Sequence, residues 1–142
     1  MLEIHDEHPD KLLHRDITEA IIGAAFEVHQ ELGYGFLERV YQRPLQVELI
    51  RRGVAAEIER RIQVQYKGVV VGDYDAALIV ADSVVVEIKV NPQYDKRDEP
   101  QLLNELKATG FKVGLLVNFG RNKVEYKRLV FSSVFIRGVL VF

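Results

Sequence analysis

From Asp16 onward, apolar residues fall on one side of a helix. Ile17, Ala20, Ile21, Ala24, Val28 and Leu32 recur at three- and four-residue spacing, Ile22 and Phe26 widen the stripe, and Gly33 ends it. Asp16 with Glu19 three residues later has the form of a capping box, which predicts a helix starting there. A second helical pattern runs from about Phe36 to Arg52 through Leu37, Val40, Tyr41, Leu45 and Leu49, and stops at Gly53. Pro44 falls inside it and removes an amide donor, which predicts a kink or a division of the helix in two.

The period then shortens to that of strands. RIQVQY, a Lys67-Gly68 turn and VVVG read as one strand pair. YDAALIV and VVVEIK flank a short ADS turn and read as a β-hairpin. Asp98, with Pro100 in the first turn and Gln101 three residues on, opens a third helix that ends at Gly110. VGLLVNF follows, apolar on both strand faces, as expected of a strand covered by helices on each side. A strand-helix-strand passage favours a parallel crossover. The strand-like runs VEYKRLVF and SVFIRGVLVF close the chain. This order predicts an α/β fold, a mixed central β-sheet flanked by helices. One domain over residues 13–142 is expected behind a flexible N-terminal tail, residues 1–12. In the last run, Val134, Ile136, Leu140 and Phe142 form one apolar face, while Phe135, Val139 and Val141 make the other apolar too. That predicts burial against the sheet or in a homodimer.

The hairpin carries the candidate chemistry. Side chains alternate along a strand, so Glu87 and Lys89 share one face, and Val84, Val86, Ile88 and Val90 the other. With Ala81, Asp82 and Ser83 in the loop, Val80 opposes Val84, and the same register sets Ala77 opposite Glu87 and Asp75 opposite Lys89. Carboxylates on neighbouring strands can bind a hard cation such as Mg²⁺, and a lysine beside them can orient water and stabilise charge on a phosphate. The bland alternative is a cross-strand Asp75–Lys89 ion pair with Glu87 solvated at the strand end. Acid-x-lysine alone does not discriminate, because Glu105 to Lys107 and Glu125 to Lys127 repeat it.

Composition narrows the chemistry further. The 142 residues contain no cysteine, which excludes thiolate zinc sites, thiol nucleophiles and disulfides. The start, MLEIHDEHPDK, lacks the pattern of a secretory signal, and the apolar runs are too short to cross a bilayer, so a cytoplasmic protein without membrane contact is expected. A net charge of −2 gives no global attraction to phosphate backbones. Arg51-Arg52, Arg60-Arg61, Lys96-Arg97 and Lys127-Arg128 could form a local basic face, or be ordinary pairs beside compensating acids. The histidines at 5, 8 and 14 read as scattered rather than ligating, and His29 as a packed helix-end residue. Gln101 could simply close a capping box with Asp98.

With these segments in view, the chain resembles the GxxExxY proteins of the PD-(D/E)XK nuclease superfamily. The resemblance runs from about Leu13 to Leu129. The signature stands as GFLERVY, with Gly35, Glu38 and Tyr41 in place, and IIGAAFEVHQELGYG, VQYKGVVVG, VVVEIK and QLLNELKATGFKVGLLVNFG follow the family's segments in order. The resemblance implies a restriction-endonuclease-like core and hydrolysis of phosphodiesters in nucleic acid with Mg²⁺ or Mn²⁺. It implies that Glu87 is a metal ligand, Lys89 the catalytic lysine, Glu38 an accessory acid and Gln101 a polar contributor. The family usually reads Y-x-A-D in the first arm, which sets its metal-binding aspartate at Ala77 of this chain. An aromatic is common in the family where Glu105 stands, and an alanine-like residue where Pro44 stands. Asp75 lies on the same face about 6–7 Å along the strand and is the candidate substitute ligand. Hydrolysis impaired by Ala77 is therefore expected. The alternative is an inactive nuclease-fold module that binds nucleic acid or a protein partner.

Overall fold

The computed structural model describes residues 13–58, 61–75, 78–131, 134–136 and 139–141. The expected tail lies outside the described residues. Helix α1 spans Arg15–Leu32 and α2 spans Glu38–Arg51. The capping box does not form. The residue preceding α1 is His14, in a left-handed conformation with no side-chain cap, and Asp16 sits within the first turn. There its charge still favours the positive end of the helix. Pro44 does not divide α2, which stays one helix from end to end.

Strands β1 (Ala56–Ile58), β2 (Arg61–Tyr66), β3 (Val69–Asp75), β4 (Leu78–Val80) and β5 (Val84–Lys89) follow. A short 3₁₀ turn at Lys96–Asp98 leads into α3 (Glu99–Thr109), and then come β6 (Val113–Phe119) and β7 (Val124–Val130). Five strands form the main sheet in the order β1-β4-β5-β6-β7. β5 and β6 run parallel on either side of α3, as the crossover pattern predicted, and the other neighbours are antiparallel. β2 and β3 make a separate two-stranded ribbon. β1 was missed by periodicity, being only three residues long. The expected first arm of the hairpin is instead shared between the end of β3 and the whole of β4. The C-terminal run folds as a ribbon of β8 (Val134–Ile136) and β9 (Val139–Val141). The burial expected for its side chains lies outside the described residues.

Alternation along the strands sorts two cores. On one face, Val84, Val86 and Ile88 of β5 pack with Ile21, Ala24 and Val28 of α1 and Tyr41, Leu45 and Leu49 of α2. On the other, Val85 packs with Leu102 and Leu106 of α3, Leu116 of β6 and Ile62 of β2. Glu87 and Lys89 follow Val85 at two-residue steps, so they belong to the α3 side.

Candidate active site

The turn before β5 sets its register. Ser83 donates its backbone N–H to Val80, and Ala81 and Asp82 take positive φ of 54° and 50°, within a three-residue turn, Ala81 to Ser83. Val80 therefore opposes Val84, as expected, and Leu78 opposes Val86. Ala77, the next position, lies outside the described residues. Asp75 ends β3, where its strand partner is Arg61 of β2.

Helix α3 sits close above this strand because Gly114 of β6, the neighbour of Val85, leaves room for Leu102. Two side chains on the underside of α3 then meet β5. The Gln101 amide nitrogen donates to Glu87 Oε2 at 3.3 Å and to Glu105 Oε2 at 3.2 Å. Lys89 Nζ donates to Gln101 Oε1 at 3.3 Å and lies 3.9 Å from Glu87 Oε2. Gln101 is thus a bridge across the site and does not close a capping box; Asp98 accepts instead from the Asn91 side-chain amide. The end of β5 is pinned by reciprocal bonds: Asn91 N–H donates to Asn118 Oδ1 at 2.8 Å, and Asn118 Nδ2 donates to the Asn91 carbonyl at 3.0 Å.

A carboxyl on strand β5 stands two residues before a lysine on the same face, and the following helix supplies a polar side chain to both. The profile of the PD-(D/E)XK nuclease superfamily matches residues 15–129. This chain belongs to that superfamily. No curated protein matches it. Among solved structures it is similar to one titled "Crystal structure of SSO0001", with 17% identity over 80% of this chain and a TM-score of 0.41. The chain spans 65% of that structure's length, just under two thirds.

Within the PD-(D/E)XK fold of this chain the electrostatics are unusual. Glu87 is 7% exposed and Glu105 is fully buried. Burial pushes the Glu87 carboxyl up to about 9, reinforced by the charge of Glu105 and a hydrogen bond with it, and opposed by Lys89. Glu105 is also pushed upward, again chiefly by burial. Burial thus favours the protonated form of both acids, and the Lys89 ammonium opposes it. Glu38, in the first turn of α2, is exposed, and its charge adds to the upward push on Glu87. Among the described residues, Lys89 bonds to Gln101 and pairs with Glu87, not with Glu38.

Sequence reasoning thus named Glu87, Lys89 and Gln101, which the structure brings together, and passed over Glu105 as a site residue. The available signal was its position one turn after Gln101 on the core-facing side of α3, between Leu102 and Leu106. Of the basic pairs, Arg52 meets Glu48, Arg61 meets Asp73 and Arg97 meets Asp95, so these three are compensated. His29 is packed as expected, donating from Nε2 to the Gly120 carbonyl. A groove of about 670 Å³ lies along the β1–β4 edge beside Arg43, Gln46, Glu57 and Asp82, and its lining includes none of Glu87, Lys89, Gln101 and Glu105. No helix among the described residues is long and apolar enough to cross a membrane.

Proposed function

We propose that this chain hydrolyses phosphodiester bonds in nucleic acid with the help of Mg²⁺ or Mn²⁺, as a member of the GxxExxY group. The observation that carries this reading is the Glu87–Lys89 pair on one strand face with Gln101 bridging both. The residues present suit a hard divalent cation: Glu87 keeps one buried oxygen, Oε1, without a hydrogen-bond partner, and carboxylate oxygen is the donor such ions take. Glu87 would hold it, with Asp75 as the second candidate ligand. A bound ion supplies Lewis-acid polarisation of the phosphate and a more acidic water. Lys89, partly exposed, is the cation able to meet negative charge developing on the phosphate. Gln101 fixes the orientation of both side chains. Glu38, at the exposed start of α2, would serve as the accessory acid.

Alanine at position 77 supports a second reading, in which the same fold binds nucleic acid with hydrolysis weak or silent. The two readings separate in a cleavage assay on single- and double-stranded DNA and RNA with Mn²⁺ or Mg²⁺. Ion-dependent cleavage lost in Glu87→Gln carries the first. Binding of the same substrates without cleavage carries the second, and neither cleavage nor binding removes both. A homodimer through the β8–β9 ribbon and residence in the cytoplasm complete the proposal; sedimentation tests the dimer.

A further inference from the structure

Glu105 lies at the centre of α3's inner face with no exposure to water, in a helix whose neighbouring inward positions are leucines. Burying a carboxyl there is costly unless its oxygens are satisfied. One oxygen, Oε2, accepts from Gln101, and the same amide nitrogen also serves Glu87. The other oxygen of each acid, Glu105 Oε1 and Glu87 Oε1, is buried with no hydrogen-bond partner. Oε2 of Glu87 and Oε2 of Glu105 both lie within 3.3 Å of the one Gln101 amide nitrogen, which sets the two carboxyls side by side. The Gln101 amide gives one N–H to each acid, and the second oxygen of each remains unserved, so this buried pair has room for a further electropositive partner.

We propose that Glu105 is a divalent-cation ligand, joining Glu87 to make a two-carboxylate site that spans β5 and α3 beneath Gln101. This rests on the metal-dependent reading above and deepens it: the second carboxylate comes from the helix, whatever position 77 contributes. The described residues bring two carboxylates together here, and water would complete the shell of an ion they held. That is the regime of Mg²⁺ and Mn²⁺, which keep several waters, and not of Ca²⁺ cages or of nitrogen- and sulfur-bound zinc. Gln101 would orient both carboxylates by its hydrogen bonds, and Lys89, bonded to Gln101, would stand beside them.

Calorimetric titration of Mn²⁺ into the full chain, Glu105→Gln and Glu87→Gln provides the test. Gln preserves shape and hydrogen bonding, and melting in EDTA should leave Glu105→Gln at least as stable as the unmodified protein. We expect one bound Mn²⁺ in the unmodified chain and a loss of at least about tenfold in affinity in each variant, a size that even supporting residues produce. In the unmodified protein, sub-stoichiometric Mn²⁺ should broaden the Gln101 side-chain amide and the α3 backbone resonances around Glu105. If Glu87→Gln loses binding while Glu105→Gln matches the unmodified chain, Glu105 is only a buried neighbour of Glu87. The metal-dependent reading then survives and this inference does not. If the unmodified chain binds no Mn²⁺ at millimolar concentration, or both variants bind as it does, both fail.

Discussion

Gly114 and Leu102 are in such close approach that a Cβ on residue 114 would lie 2.9 Å from Leu102 Cδ1 and 3.0 Å from its Cγ. Leu102 is fully buried and has nowhere to retreat. This contact sets the height of α3 above the sheet, and with it the reach of Gln101 and Glu105 to Glu87. Gly114→Ala should destabilise the fold by about 1–3 kcal/mol, the usual result of overpacking. It should also weaken Mn²⁺ binding, while Gly68→Ala, in the turn between β2 and β3, should leave Mn²⁺ binding intact. Urea denaturation and calorimetry measure the two effects; unchanged ion binding in a folded Gly114→Ala protein would show that helix height does not matter to the site.

Glu87 makes the ion-free protein sensitive to alkali. Its carboxyl is raised from 4.5 to about 9 in the folded state, so the folded chain holds a proton that the unfolded chain releases above pH 4.5. Stability from this source is fully present below about 4.5 and is lost as pH rises toward about 9. The slope is at most about 1.4 kcal/mol per pH unit. Urea denaturation in EDTA across this window should show that decline, and Glu87→Gln should flatten it. Parallel curves for the two proteins would contradict the assignment.

Lys89→Met should keep Mn²⁺ binding and lose about 10²–10³-fold of any cleavage rate, the range seen when a group stabilising developing charge is removed. Rapid-quench assays of a labelled oligonucleotide give the rate. A variant that cleaves normally would assign Lys89 to structure alone.

Position 77 tests whether a carboxylate can be moved between strand and helix. Ala77→Asp should tighten divalent-ion binding, whereas Ala77→Asn, of similar bulk and no charge, should not. In a Glu105→Gln background, Ala77→Asp should recover the affinity lost. Asp75→Asn should weaken binding only where Asp75 is a ligand. Equal affinity in all four proteins would detach residues 75 and 77 from the ion.

Much of this was legible beforehand because it obeys local periodicity. The stripe from Ile17 to Leu32 has one burial solution, and the apolar VGLLVNF run has to be central, as β6 is. Glu87 and Lys89 could be placed on one face from strand alternation, and the Val80–Val84 register followed from a short turn. What resisted was anything decided by contacts between distant segments. The end of β3 joins β2 through Asp75 and Arg61, a pairing invisible in a continuous YDAALIV run. Asp16 looks like a cap in sequence, yet His14 takes the turn into α1. Glu105 reads as an ordinary charged helix residue until Gly114 and Leu102 bring α3 down onto β5. The reciprocal clasp of Asn91 and Asn118 likewise joins residues with no sequence pattern in common.

β5 is the middle strand of the five-stranded sheet, bonded on both sides and covered on both faces, whereas α3 covers one face only. Amide protons of β5 should therefore be among the last to exchange, and those of α3 should exchange through smaller openings. The two halves of the candidate site should then exchange on different timescales. When α3 lifts, Gln101 and Glu105 leave together, and Glu87 stays on an intact sheet facing water. Opening of α3 ahead of the sheet would take the site apart without unfolding the domain.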